Sequence, residues 1–302
     1  MSELIAVLDL GSTAARFVLA RVIPGEGFRV LHEERVQTRL GDARRGRLTR
    51  EAIEGTLDAV GRFLVRLGSG PRPRVVAVAT SAVREAANRE RLLGPLRRDH
   101  GVVVRVLSGR EEARLGGLAA LHGLSLTAAV AADLGGGSLQ LTRLRRRRVV
   151  STASVPLGAV RLTRRFLRHD PPSPRELRAL RLEVRRGLLR ALPVGRREET
   201  LVGLGGTARM LARMQLAARG DARTPDHGLP LRPSQLTALR EALEARSVRE
   251  RRELPGLEAE RADVVLAGAI VLEEVMLLGG WPALLVCAQG VRHGLLVGEA
   301  FP

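Results

Sequence analysis

Two stretches of this sequence set a carboxylate near the end of an apolar run and follow it with glycine and serine. Leu4–Leu10 holds Asp9 and passes into Gly11 and Ser12, and Ala128–Leu134 holds Asp133 and passes into Gly135, Gly136, Gly137 and Ser138. Glycine lets the main chain approach a ligand without a Cβ in the way, and successive backbone N–H groups in such a turn make a concavity for an anion. A carboxylate alone would repel phosphate. With a divalent cation between them it becomes an anchor, because Mg²⁺ is held by one or two carboxylates, waters and substrate oxygens. The chemistry suited to both turns is therefore phosphate with a divalent cation. A single such turn is common, but Asp133 follows Asp9 by 124 positions, and a second pair of turns lies at nearly that offset. Val78–Ala79 opens into Thr80, Ser81 and a helical pattern, and Val202–Gly203 opens through Leu204 into Gly205, Gly206, Thr207 and an Ala/Met/Leu helix, with Thr207 127 positions after Thr80. The shared offset points to an internal duplication of about 125 residues.

The elements that must position these turns follow from periodicity. Leu4–Leu10, Arg16–Val22 and Phe28–Gln37 read as strands, and Thr49 caps a helical pattern through Leu67 in which Ile53, Leu57, Val60 and Leu64 recur at three- and four-residue steps. Val75–Ala79 and Val102–Leu107 read as buried parallel strands, Ser81–Asp99 as one or two helices, and Glu111–Leu121 as a helix. After Gly123 the pattern restarts, with Ala128–Leu134, Leu139–Leu144 and Val149–Val155 as strands and the Arg145–Arg148 run as a solvated hairpin turn. Further helices are expected at Pro174–Leu192, Pro233–Ala245 and Arg261–Leu278. The pattern is mixed α/β.

Composition bounds what these elements serve. Fifty basic residues, every one Arg, stand against 32 acidic ones, a formal net charge of +18. Such an excess fits either a solvated surface or an anion-attracting field, and charge alone does not separate them. Aromatics make up 2% of the chain, which leaves few platforms for stacking bases and argues against single-strand nucleic-acid binding. A hydrophobic content of 45% excludes a wholly disordered chain. The lone Cys287 follows Leu284, Leu285 and Val286 and reads as a buried strand residue, so no disulfide framework forms. The most membrane-like stretch, Ala262–Gln289, is interrupted by Glu273, Glu274, Gly279, Gly280 and Pro282. A soluble cytoplasmic protein is expected.

The motifs taken together resemble a known family. Asp9-Leu10-Gly11-Ser12 with Arg16, Thr80-Ser81-Ala82-Val83-Arg84-Glu85-Ala86 with Asn88, Ser108-Gly109-Arg110-Glu111-Glu112-Ala113-Arg114-Leu115, Asp133 to Ser138, and Gly205-Gly206-Thr207 stand in the order seen in exopolyphosphatases and guanosine pentaphosphate phosphohydrolases, the Ppx/GppA family. Pro255-Gly256-Leu257 with Arg261 and Asp263, and Gly290-Val291-Arg292-His293-Gly294, extend the likeness over nearly the whole chain. The Ser108–Leu115 block is the discriminating part, since the glycine turns are shared by the wider actin, heat-shock-ATPase and sugar-kinase superfamily.

The resemblance implies a duplicated ribonuclease-H-like α/β fold of two domains, 1–123 and 124–289, flanking a cleft that holds the active site, with a helix at 290–302 packing back on the first domain. It implies hydrolysis of the terminal phosphoanhydride of inorganic polyphosphate or of guanosine pentaphosphate with Mg²⁺ or another divalent cation, by a homodimer without a specific nucleic-acid or membrane partner. Carried over by motif, Glu112 matches the general base that activates water. Asp133 matches the residue that helps hold metal and water, and Asp9 is its partner on the metal. Arg84 and Arg16 match phosphate-contacting arginines, the backbone at Gly11, Ser12, Gly135, Gly136, Gly137 and Ser138 cradles phosphates, and Gly205, Gly206 and Thr207 border the site. Glu111 is left to the surface. Phosphoryl transfer asks for in-line positioning and charge neutralisation more than covalent chemistry, which agrees with these roles. The chain departs from the pattern at Thr13-Ala14, where the family has Asn-Ser, at Gln140, where it has an acidic residue, and at His293, where it has Glu. Polyphosphate is favoured over guanosine pentaphosphate, because an Arg-rich surface suits a long polyanion and few aromatics remain to grip guanine. From another class, a catalytically weak polyanion-binding protein fits the +18 charge and Gln140, and an actin-fold kinase is disfavoured by the Ser108–Leu115 block.

Overall fold

Alternation along the first strand decides which face each side chain serves, and hence where Asp9 points. The computed structural model describes residues 2–43, 46–68, 73–192, 199–221 and 223–302. In chain order its elements are β1 (Glu3–Leu10), β2 (Ala14–Ile23), β3 (Gly27–Gln37), α1 (Arg50–Val65), β4 (Arg74–Ala79), α2 (Ser81–Arg84), α3 (Glu90–His100), β5 (Val104–Val106), α4 (Gly109–Gly123), β6 (Ala128–Leu134), β7 (Leu139–Arg145) and β8 (Arg148–Val155). They continue as α5 (Ala159–Phe166), α6 (Pro174–Leu189), β9 (Thr200–Leu204), α7 (Gly206–Ala217), β10 (Pro230–Leu231), α8 (Pro233–Glu244), α9 (Val248–Arg251), α10 (Val265–Gly279), β11 (Leu284–Val286) and α11 (Val291–Ala300). The chain forms two units, one of Met1–Leu118 with Val291–Pro302 and one of Ala119–Gly290.

In the first unit the sheet order is β3-β2-β1-β4-β5, with β1, β2 and β3 an antiparallel meander and β4 and β5 added in parallel. Ala6, Leu8 and Leu10 of β1 join a core with Val60 and Phe63 of α1 and Leu92 and Leu96 of α3. Ile5 and Val7 join the opposite core with Leu115 of α4 and Leu295 and Leu296 of α11. Asp9 shares the parity of Ile5 and Val7, and Arg16 that of Val18 and Ala20, so both side chains lie on the face covered by α4 and α11. The expected Thr49 cap forms, its side chain accepting from the amide of Ala52 at 3.2 Å. Val102–Leu107 is not the buried strand expected. Only Val104–Val106 pair, at the sheet edge and with β4 alone, which leaves Val103 75% exposed and turns Arg105 out to Glu111.

In the second unit the order β10-β11-β9-β6-β7-β8 repeats the plan, with β8-β7-β6-β9-β11 in the places of β3-β2-β1-β4-β5. The Arg run is the expected hairpin turn, with Arg146 and Arg147 at φ 48° and 59° between the paired Arg145 and Arg148, the left-handed geometry that a two-residue turn demands. Val130, Ala132 and Leu134 enter the large core beneath α5, α6, α7 and α10. Ala129 and Ala131 face the other way, toward Ala119 and Ala120 of α4 and Cys287, and Asp133 shares their parity. Cys287 is buried as expected but stands one residue past β11, and burial pushes its thiol up to about 11.

The core of the membrane-like stretch becomes α10, a helix buried from Val265 to Met276, and no helix among the described residues is long and apolar enough to cross a membrane. Its two carboxylates are matched internally. Arg181 of α6 donates to Glu273 at 3.1 Å and Glu274 at 3.2 Å, Arg185 donates to Glu274 at 2.7 Å, and Arg240 of α8 pairs with Glu273 at 2.9 Å. Arg181 is the one arginine that bridges both buried carboxylates, and removing it leaves Glu273 to Arg240 and Glu274 to Arg185, a weaker neutralisation of two buried charges. Arg181→Met should therefore lower the unfolding free energy in a urea titration by about 3 kcal/mol. Arg185→Met, whose side chain is half exposed, should cost less than about 1 kcal/mol.

Candidate active site

The first unit brings its candidate residues together through one turn. The amide of Gly11 donates to the carbonyl of Ala14 at 3.1 Å, which joins β1 to β2 and leaves the N–H groups of Ser12 and Thr13 without an acceptor among the described residues. The carbonyl of Ser12 accepts from Gly41 at 2.6 Å and that of Thr13 from Thr38 at 3.2 Å and Arg39 at 3.0 Å. All of these are main-chain bonds, so Thr13-Ala14 forms the turn regardless of the family's Asn-Ser. At its base Asp9 is 5% exposed, and its Oδ2 lies 3.4 Å from Nη1 of Arg16, its register partner on β2. The hydroxyls of Ser12 and Ser81 meet at 3.2 Å.

Arg84 and Glu112 reach each other from α2 and α4. Nη1 of Arg84 donates to Oε1 of Glu112 in a short bond and to the carbonyl of Leu107 at 2.6 Å. Glu112 is 4% exposed, and its inward direction is set one residue earlier. The Ser108 hydroxyl accepts from the Glu111 amide at 3.2 Å while the Glu111 carboxylate accepts from the Ser108 amide at 2.8 Å, a capping box that starts α4. Glu111 thus stays at the surface and caps the helix, and its bond from the Ser108 amide lowers its pKa. Arg292 was only part of a motif in the sequence, yet α11 inserts it near Asp9 and Arg16. Burial first, then repulsion by Arg16, lower the pKa of its guanidinium, and its Nε is buried without a partner among the described residues. Arg292 and His293 both bind Glu33 at 3.2 Å, and His293 foremost holds that carboxyl down to about 2. The family's Glu position is therefore a packing anchor here.

In the second unit the same turn recurs. The amide of Gly135 donates to the carbonyl of Ser138 at 3.0 Å, the bond of Gly11 to Ala14 displaced by 124 residues, and the amides of Gly136, Gly137 and Ser138 find no acceptor among the described residues. Asp133 pairs in register with Gln140 on β7 and with Leu204 on β9. Gln140 is buried and donates to the Ser138 hydroxyl at 2.6 Å and the Ser154 hydroxyl at 3.3 Å, which gives the residue in place of a carboxylate the task of fixing Ser138. Gly205 caps α7 at φ 91°, a conformation that L side chains rarely adopt, and a Cβ there would lie 2.4 Å from the Leu134 carbonyl and 3.2 Å from Oδ1 of Asp133. The guanidinium of Arg261, which the sequence offered without a role, lies against Gly206, where a Cβ would stand 2.1 Å from Nη1. Thr207 turns inward against Gly268.

One equivalence needs correction. Asp9 pairs with Val78 and Asp133 with Leu204, so β4 and β9 correspond at an offset of 126 where β1 and β6 correspond at 124, and the counterpart of Thr207 is Ser81 rather than Thr80. The duplication itself stands, because the two turns and both strand orders repeat.

Residues 18–301 match the model of the Ppx/GppA phosphatase family. Exopolyphosphatase 1 of Mycobacterium leprae is 31% identical over 301 residues, covering 97% of this chain and 88% of that protein. Exopolyphosphatase 2 of Mycobacterium tuberculosis is 32% identical over 288 residues, covering 90% and 89%. The crystal structure of the Aquifex aeolicus Ppx/GppA family member superposes with a TM-score of 0.83 at 29% identity, covering 99% of this chain and 98% of that one.

The Gly205 geometry is open to direct measurement. Gly205→Ala should lose well over about 2 kcal/mol in chemical denaturation, because main-chain overlap adds to the left-handed penalty of about 1–2 kcal/mol. Gly220→Ala, at φ 70° in open space, should lose only the latter.

Proposed function

As the chain belongs to the Ppx/GppA phosphatase family, we propose that it is an exopolyphosphatase that removes terminal orthophosphate from inorganic polyphosphate with Mg²⁺. The family implies a phosphoanhydride hydrolase, and relatives named exopolyphosphatase match this chain over most of their length. The observation that carries the reading is the repeated turn, two strand ends where a carboxylate is followed by amides without an acceptor among the described residues. Three groups of donors and cations agree with it: the amide rows at 12–13 and 136–138, Arg16 on Asp9 with Arg292 near them, and the Arg261 cation beside Gly206.

In this reading the amides of Ser12, Gly136, Gly137 and Ser138 receive phosphate oxygens, and Arg16 and Arg84 neutralise the charge that spreads over the transferring group. Glu112 takes the proton of the attacking water as the new P–O bond forms and the bridging P–O bond breaks. The products are orthophosphate and a chain one phosphate shorter. Arg84 orients the Glu112 carboxylate by holding Oε1, and a carboxylate has further lone pairs for the water. No covalent intermediate is needed.

Asp9 and Asp133 are the carboxylates that would hold the cation. Both are oxygen donors of the kind Mg²⁺ takes, and among the described residues no group of three metal-ligating side chains forms, so substrate and water oxygens would complete the shell. The cation would supply charge neutralisation on the phosphate oxygens. The neutral Gln140 opposite Asp133 keeps the carboxylate number low and favours an ion that shares its ligands with substrate.

The purified protein should release orthophosphate from long-chain polyphosphate in the presence of Mg²⁺ and lose that activity with EDTA. Release from guanosine pentaphosphate alone would move the assignment to the family's other activity, and release from neither would leave a polyanion-binding protein. Glu112→Gln should cut kcat by about 10³-fold, in the range of general-base and oriented-water losses, while binding of polyphosphate in a filter assay persists. With +18 of charge, KM for long chains should rise as salt goes from about 50 to 200 mM, by the counterion release that weakens polyanion binding.

A further inference from the structure

The second glycine turn is held from behind, and the holder is a helix that the sequence did not disclose. The N-terminus of α5 meets three successive carbonyls of the turn. The amide of Ala159 donates to the Gly135 carbonyl at 3.0 Å, the amide of Arg161 to the Gly136 carbonyl at 3.0 Å, and the side-chain Nε of Arg161 to the Gly137 carbonyl at 2.7 Å. Gly158 makes the approach possible, since a Cβ there would fall 2.2 Å from the carbonyl carbon of Gly137 and 2.3 Å from the Gly136 oxygen. In a planar trans peptide the C=O and the following N–H point in opposite directions. Fixing the carbonyls of Gly135, Gly136 and Gly137 on the α5 side therefore aims the N–H groups of Gly136, Gly137 and Ser138 to the other side. Those are the amides without an acceptor among the described residues. Two of the three carbonyls are held by main-chain amides that any sequence would supply. The third is held by one side chain.

We infer that Arg161 is a positioning residue for the phosphate-binding turn, acting through its Nε–H on the Gly137 carbonyl to orient the Ser138 amide rather than by presenting its charge to substrate. A glycine run has many main-chain conformations open to it, so a donor amide there is worth little until something holds its plane. The inference rests on the reading that this turn binds phosphate.

The test exploits the geometry of the bond. Gln places its amide nitrogen where Arg has Nε, keeping a donor without charge, whereas Lys keeps the charge but has a carbon at that place, and Leu has neither. Phosphate release from polyphosphate should fall about 100-fold in kcat for Arg161→Leu and Arg161→Lys, the size of a lost transition-state donor. KM should stay within about threefold, and Arg161→Gln should retain kcat within about fivefold. Recovery by Lys and not by Gln, or a loss confined to KM, would mean a charge contact with substrate and overturn the inference. Amide spectra of the labelled protein separate this from the functional reading. In the wild type, inorganic phosphate should shift the Gly136, Gly137 and Ser138 resonances, and in Arg161→Leu the Ser138 response should be lost while the thermal transition is kept. A wild-type enzyme that neither hydrolyses polyphosphate nor shows these shifts would sink the phosphate reading itself. Normal shifts in Arg161→Leu would sink only the role of Arg161.

Discussion

A single kind of main-chain hydrogen bond, from a glycine amide to the carbonyl three residues on, is the constraint from which both halves of this protein proceed. It closes β1 onto β2 at Gly11 and Ala14 and β6 onto β7 at Gly135 and Ser138, in each case just after a carboxylate near the strand end. Because the closing bond uses the outer groups of the turn, the inner amides are left over. They are not also spent on their neighbours, since the carbonyls between them are satisfied from behind, by Gly41, Thr38 and Arg39 in one half and by α5 in the other.

Strand alternation then carries the carboxylates to a defined face. Asp9 and Asp133 share the parity of neighbours that pack against α4, and in the first unit Glu112 lies on that helix and Arg292 on α11 beside it. A slip of one residue would send Asp9 into the core of Val60 and Phe63. The register is protected by the apolar residues on both faces of β1, so the chemistry is held by packing that takes no part in it.

The fifty arginines sort into distinct tasks. Arg181, Arg185 and Arg240 neutralise two carboxylates that α10 carries into the core, Arg74 ties Glu3 to Glu299, and Arg146 and Arg147 stand in a solvated turn. A smaller set, Arg16, Arg84, Arg161, Arg261 and Arg292, lies at the turns themselves. Composition reports only their sum, because a guanidinium that neutralises a buried glutamate and one that faces a phosphate-binding turn count alike.

Sequence by itself determined what is local. The strand ending in Asp and opening into glycine, the cap at Thr49, the Ser108–Glu111 box that turns Glu112 inward, the Arg hairpin and the repeat near 125 residues each depend on neighbours a few positions apart or on plain self-similarity. Tertiary structure alone decided what depends on partners far along the chain. Ser81 rather than Thr80 answers to Thr207, because pairing register between β1 and β4 and between β6 and β9 sets the equivalence. Val102–Leu107 shrank to an edge strand because, among the described residues, only Val104–Val106 pair, with β4 at the end of the sheet, and α5 escaped notice because its amphipathic pattern runs for only eight residues. Arg161 and Arg292 stand more than twenty and more than two hundred residues from the turns they serve. Side-chain spacing along a chain reports the geometry of its own helix or strand, and only the folded sheet brings a distant guanidinium to a carbonyl or a carboxylate.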